Sequence, residues 1–184
     1  LNGKRRDDFT LDVDSAIEQI QRDKPTLTFI TTPNNPTGSS LTIDEIEKIA
    51  RSTSGLLVVD EAYAEFSDEK SAATLIKKYP HVVVIRTMSK AFAFAGARVG
   101  YLVANSEVID AMYLVRLPYH LSALTQVAAS AALEFSDELL ATVQGLIAAR
   151  EDVASQMDQL GLEVVPSCSN FLLFSGFKRA SADV

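Results

Sequence analysis

Cysteine and histidine are scarce in this chain of 184 residues: there is one cysteine, Cys168, and there are two histidines, His81 and His120. A lone cysteine excludes an intramolecular disulfide, and these residues have no zinc-ligand spacing, so no metal site is expected. Basic charge is also short. The 17 Lys and Arg residues against 24 Asp and Glu leave a net charge of −7, which speaks against a nucleic-acid partner. No apolar run approaches the roughly 20 residues needed to span a bilayer, so no membrane partner is expected. The first residues, Leu1-Asn2-Gly3-Lys4-Arg5-Arg6, lack the apolar stretch of a signal peptide, and a reducing, cytoplasmic setting fits. They also lack an initiator Met, so the chain is expected to begin inside a longer protein. No G-x-G-x-x-G follows a strand and there is no Walker A lysine, which argues against a nucleotide-binding domain.

With 47% hydrophobic and 22% charged residues, the chain is expected to build one sizeable core and part of a second. Thr26–Thr32, Leu56–Val59, Val82–Ile85 and Val99–Ala104 read as strands. The second and third are continuous apolar runs, as expected when helices cover both faces of a parallel sheet. Thr42-Ile43-Asp44-Glu45 predicts a capping box, and Ile43, Ile46 and Ile49 then make an apolar stripe at helical spacing. Ser106–Leu117 and Ser122–Phe135 also read as helices, separated at Pro118. Asp137–Leu160 predicts a long helix closed by Gly161, and Glu163–Val165 and Phe171–Phe174 predict two further strands. Strands alternating with helices predict an α/β layer fold. The long helix followed by new strands predicts entry into a second domain.

In open parallel sheets, ligands bind beyond the carboxyl ends of the strands. Here the first strand runs into Pro33-Asn34-Asn35-Pro36-Thr37-Gly38, the second into Asp60-Glu61-Ala62-Tyr63, and the third into Arg86-Thr87-Met88-Ser89-Lys90. About a dozen residues join the third strand to the fourth, which is marginal for a parallel crossover and predicts an antiparallel return. Such a return would set Arg98 beside Lys90. Arg98 with the hydroxyls of Thr87 and Ser89 suits a phosphate. Asp60 at an apolar strand end calls for a cationic partner, for which a protonated pyridine nitrogen would serve. Lys90, close to the Arg98 charge, is a candidate imine-forming amine. Asn35 and Tyr63 can donate to a ring oxygen. Pyridoxal 5'-phosphate carries every one of these groups.

Each element also has an ordinary reading. The Pro33–Gly38 stretch alone is a turn before a helix. Asp60 alone could cap the next helix, and a lone lysine is usually a solvated surface charge. Thr87, Ser89 and Arg98 would each pass as loop residues, as would His120 before a Ser122 N-cap. Phe92 and Phe94 read as packing, and Cys168 reads as a loop thiol. The order and common placement of the strand-end groups favour the joint reading. A catalytically silent fragment, kept only as a folding or dimerisation unit, stays open as an alternative.

The ordered set Asn35-Pro36-Thr37-Gly38, Asp60-x-Ala62-Tyr63 and Thr87-x-Ser89-Lys90, followed by Arg98, resembles the fold-type-I aminotransferases. Within them it is similar to the histidinol-phosphate branch, through the wording Ser89-Lys90-Ala91-Phe92-Ala93-Phe94-Ala95-Gly96-Ala97-Arg98-Val99-Gly100-Tyr101 and Ser169-Asn170-Phe171. The resemblance implies a three-layer, mostly parallel sheet in a large cofactor-binding domain over residues 1–136, incomplete at its N-terminus. Residues 137–184 would be a connecting helix and part of a small α+β C-terminal domain. Lys90 would join the cofactor covalently and shuttle a proton between the substrate's Cα and the cofactor's C4′. Asp60 would keep the pyridine nitrogen protonated. Asn35 and Tyr63 would bond the ring's 3′ oxygen, Ala62 would lie against a ring face, and Thr87, Ser89 and Arg98 would grip the phosphate.

The implied reaction is amino transfer from histidinol phosphate to 2-oxoglutarate in histidine biosynthesis, by a homodimer. Another amino-acid aminotransferase, aromatic or otherwise, or a decarboxylase of phosphorylated amino acids is an alternative that the cofactor residues do not separate. Family members are roughly twice as long. The stacking aromatic and the substrate-binding arginines are expected outside this stretch, so the piece alone is expected to bind cofactor weakly and to transaminate poorly or not at all.

Overall fold

Leu27–Thr31 (β1), Leu56–Asp60 (β2), Val82–Thr87 (β3) and Gly100–Val103 (β4) form one sheet in that order. In this computed structural model, which describes residues 3–177, β1, β2 and β3 run parallel. β4 returns antiparallel to β3, with Thr87 opposite Gly100. The expected short return is therefore present. Residues 1–2 and 178–184, the outer ends of the two expected domains, lie outside the described residues.

Two helices cover one face of the sheet. Ile43–Ser52 (α2) starts with the expected capping box: Thr42 Oγ1 accepts from Glu45 N, and the Glu45 carboxylate accepts from Thr42 N at 2.9 Å. Val13–Asp23 (α1) is a helix the sequence reading did not include. It is capped by Asp12, whose Oδ1 accepts from Ser15 N at 3.2 Å. Val13 and Ile20 of α1, Ile46 and Ile49 of α2, and Leu57, Val59, Val82 and Val84 of the sheet are buried together in one core. Those strand residues alternate with Val58, Val83 and Asp60, which by strand geometry face the other way.

A second core lies past the carboxyl ends of the strands, built from Tyr63, Phe66, Met88, Phe92 and Val99. Val143 of the long helix Ser136–Gln159 (α5) belongs to it, and Ala129 of Ala123–Glu134 (α4) packs against it. The preceding helix Ser106–Val115 (α3) ends before Pro118, and α4 is capped by Ser122, as expected. Gly161 follows α5 with φ +80°, the left-handed C′ conformation predicted for it. Among the described residues no helix is long and apolar enough to cross a membrane.

Glu163–Val165 (β5) pairs antiparallel with Leu173–Ser175 (β6). β6 begins later than predicted because Phe171 is held in a turn: Ser167 Oγ donates to its carbonyl at 2.7 Å, and its amide reaches Ser169 Oγ at 3.4 Å. The 167–171 turn is tied to the loop after β1 and to α5. Cys168 N donates to Gly38 O at 2.8 Å, and Arg150 of α5 donates to Ser169 O at 2.7 Å.

Candidate active site

The turn after β1 is fixed by its own side chains. Thr32 Oγ1 accepts Leu41 N at 2.8 Å, Asn34 Nδ2 donates to Thr37 Oγ1 at 2.9 Å, and Gly38 N donates to Asn34 O at 2.7 Å. The Thr32-Pro33 and Asn35-Pro36 bonds are cis. With its neighbours so committed, the exposed Asn35 is left to look outward. Its Nδ2 donates to the Tyr63 hydroxyl at 2.9 Å.

β2 ends at half-buried Asp60, whose Oδ1 accepts Ala62 N at 3.0 Å and so bends the chain toward Tyr63. Among the described residues nothing bonds Asp60 Oδ2. The Tyr63 ring is buried, edge-on to Phe171 at 5.2 Å between centroids, with Lys90 Nζ 5.5 Å from the ring centroid. β3 ends at Thr87, whose Oγ1 lies 2.9 Å from Ser89 Oγ and accepts Ser89 N at 3.1 Å. That closes a small hydroxyl cup. Lys90 is exposed, and among the described residues it takes no ion pair.

The loop back to β4 contains two non-glycine residues in the left-handed region, Ala93 at φ +50° and Arg98 at φ +55°. The exposed Arg98 guanidinium donates to Ala95 O at 3.3 Å. No hydrogen bond or ion pair joins it to Thr87, Ser89 or Lys90. The structure thus brings together Asn35 with Tyr63, Tyr63 with Lys90, and Thr87 with Ser89. Arg98 stays in the adjoining loop.

Two features carry no role in the sequence reading. One is Phe171, which walls the Tyr63 ring; its place in the Ser169-Asn170-Phe171 wording was the available signal. The other is an ion pair behind the strand ends, Glu61 with Arg86, at 2.7 Å. Burial works against the Arg86 charge, but Glu61 and then Glu65 outweigh it and hold its pKa above the ordinary value. Two charged residues ending apolar strands are a signal in themselves, since neither is cheap to bury alone.

His120 is exposed, with Nδ1 3.2 Å from Leu117 O, a loop residue before the Ser122 cap. Phe92 and Phe94 are packing residues of the second core. Cys168 is a loop thiol, and burial pushes its pKa up. No cluster of metal-ligating side chains occurs among the described residues. A cavity of about 560 Å³ opens beside β1 and α1, lined by Arg5, Leu11, Gln19, Leu27, Phe29 and Leu41 among others, and none of the candidate residues borders it.

The chain is 54% identical over 184 residues to a histidinol-phosphate aminotransferase of Mycobacterium sp. (strain JLS), covering 99% of this chain and 49% of the relative. It is 55% identical over 176 residues to that of Corynebacterium glutamicum (strain R), covering 95% of this chain and 48% of the relative. The chain therefore spans about half the length of the curated relatives it matches. Among solved structures it superimposes with a TM-score of 0.87, at 28% identity, on a histidinol-phosphate aminotransferase from Sinorhizobium meliloti in complex with pyridoxal-5'-phosphate. That match covers 95% of this chain and 48% of the other. The mixed α/β sheet expected from the sequence is thus the fold of these enzymes. The model of the family described as aminotransferase class I and II matches residues 2–183, and with it the chain belongs to that family.

Proposed function

We propose that this chain carries the pyridoxal 5'-phosphate site of an enzyme that moves the amino group of histidinol phosphate to 2-oxoglutarate, giving imidazole acetol phosphate and glutamate in histidine biosynthesis. The observation that carries the proposal is the meeting, at one sheet edge, of an unengaged carboxylate oxygen, an amide–phenol pair, an amine and a hydroxyl cup. The donor set fits the cofactor. Asp60 Oδ2 is open to a cationic ring nitrogen, and the cup of Thr87 and Ser89 is open to a phosphate. The curated relatives above 50% identity support the choice of substrate.

When bound, pyridoxal phosphate supplies an electron sink for negative charge at the amino acid's α carbon. The chain's own residues do the rest. Asp60 Oδ2 holds the ring nitrogen's proton in place, against the competing pull of water. Tyr63 accepts from Asn35, which leaves the Tyr63 hydroxyl proton free to donate to the ring oxygen. Ala62 leaves room for a flat ring where a longer side chain would intrude. Thr87 and Ser89 would bind the phosphate, and Arg98 would join them by exchanging its bond to the Ala95 carbonyl for one to the phosphate. Lys90 would hold the cofactor through Nζ and, once the substrate's amine has displaced it, would take the proton from the substrate's α carbon.

Residues 1–136 would form the cofactor-binding domain, and 137–184 a connecting helix with part of a small domain. A cytoplasmic homodimer is the assembly we favour. The exposed apolar residues of α3, α4 and the loop between them, with Leu114 at 87% and Tyr119 at 97% exposure, support burial against another protein surface.

The test uses the enzyme as expressed from its own gene. Loading with pyridoxal phosphate, borohydride reduction and peptide mapping should place the label on Lys90. Glutamate should form from 2-oxoglutarate with histidinol phosphate as donor. A label on another lysine refutes the site, and preference for an aromatic or other donor, or decarboxylation, refutes the substrate.

A further inference from the structure

On the sheet face opposite Asp60 and Thr87, a charged cluster ties β2 to β3. Glu61 is 2% exposed, and its Oε2 accepts Arg86 Nε at 3.0 Å and Nη2 at 2.7 Å. The Ser71 hydroxyl also donates to Oε2, at 2.8 Å, and the Ala72 amide donates to Oε1 at 2.6 Å. Arg86 Nη1 donates to Glu65 at 3.0 Å. Such a pair is a poor source of net stability, because desolvating both charges costs about as much as their attraction returns. The rest of this face, Leu57, Val59, Val82 and Val84, is apolar and needs no polar neighbour. Fixed geometry is what an ion pair held by several directional bonds supplies and an aliphatic pair does not.

Its position says which geometry. The β2–β3 register ends at Asp60 opposite Ile85, closed by Glu61 N donating to Ile85 O at 2.9 Å. Beyond that point the chains part, toward Tyr63 on one side and toward Met88, whose amide goes to Val99 O, on the other. Glu61 lies between Asp60 and Ala62, and Arg86 directly precedes Thr87. Strand alternation sends Asp60 and Thr87 to the site face and the ion pair to the back.

We propose that the Glu61–Arg86 pair is a positioning element that sets the separation between Asp60 and the Thr87–Ser89 cup. It thereby fixes the span that a ligand with a cationic ring nitrogen at one end and a phosphate at the other must bridge. The inference rests on the cofactor reading above.

Two ligands measure the span. Pyridoxal phosphate engages both ends, whereas pyridoxal, lacking the phosphate, engages one. Each is titrated by absorbance into the wild-type enzyme and into Glu61→Gln and Arg86→Lys, with thermal unfolding alongside. In the variants the Kd for pyridoxal phosphate should rise about tenfold, while that for pyridoxal changes less than about twofold. Equal losses for both ligands, which a merely structural role would give, overturn the inference, as does no loss for either. If a single change leaves a buried charge and the protein does not fold, the double replacement of Glu61 and Arg86 by Met removes both charges, and the same ratio is read there. Failure of the wild-type protein to bind pyridoxal phosphate at all is a different result. It removes the cofactor reading itself and this inference with it.

Discussion

The side-chain amide of Asn35 donates a 2.9 Å hydrogen bond to the hydroxyl of Tyr63, across the gap between the turns that follow β1 and β2. A neutral bond of this kind contributes about 1 kcal/mol, or roughly fivefold in an equilibrium constant. Asn35→Ala and Tyr63→Phe should each weaken pyridoxal phosphate binding by about that factor. Because the two groups act as one unit, the double variant should be little worse than either single one. Equilibrium dialysis reads all three. Losses that multiply would mean that the pair acts as two separate contacts.

Lys90 makes no ion pair among the described residues and is exposed, so the fold does not lean on it. Lys90→Ala should unfold within about 0.5 kcal/mol of the parent protein, as surface changes usually do. On the function proposed above, borohydride labelling should vanish, and amino transfer should fall by on the order of a thousandfold, the loss of the proposed nucleophile and proton carrier together. Retained labelling in Lys90→Ala would assign the covalent role elsewhere.

The strand ends were legible because β2 and β3 are uninterrupted apolar runs that stop at charged residues. The antiparallel return was legible from the short connection before Val99. Helix α1 carried a comparable signal, Val13, Ile17 and Ile20 at helical spacing behind an Asp12 cap, which the sequence reading did not use. The Glu61–Arg86 contact spans 25 positions and follows from the register of two strands, which no local pattern encodes. The pose of Arg98 was not legible either. A positive φ at a non-glycine residue is set by the surrounding loop, against local preference. The Thr87 and Ser89 hydroxyls meet at 2.9 Å, as their shared strand end leads one to expect, while the Arg98 guanidinium bonds the Ala95 carbonyl.

Gly38 joins the turn of the candidate site to the C-terminal segment. Its φ is +73°, and a Cβ there would come within 2.7 Å of Ser167 Cβ and 2.9 Å of Ser167 Cα. Gly38→Ala should destabilise the protein by about 1–3 kcal/mol, through backbone strain and displacement of the 167–171 turn. Cys168 reports the displacement, since its amide is bonded to Gly38 O and burial holds its thiol pKa up. The thiol should react slowly with iodoacetamide at pH 8 in the parent protein and faster in Gly38→Ala. Equal alkylation rates would show that the segment does not depend on this contact.

Glu47 on α2 gathers three donors on one oxygen: Lys78 Nζ at 2.6 Å, the Tyr79 hydroxyl at 2.9 Å and Arg51 Nη2 at 3.2 Å. Lys78 first, and then Tyr79, hold its carboxyl down at about 2 from an ordinary 4.5. A carboxylate whose pKa is depressed by folding adds stability that is complete above its unfolded value and disappears as pH falls toward its folded value. The advantage of the parent protein over Glu47→Gln should therefore be constant from pH 5 to pH 8. It should shrink as pH drops below about 4.5 and be gone near pH 2. Salt should reduce it throughout, because Lys78 and Arg51 are solvent-exposed. Urea midpoints of the two proteins across this pH range make the comparison. An advantage that persists undiminished at pH 3, or that is absent at pH 7, would show that the three donors do not hold Glu47 ionised in the way their geometry implies.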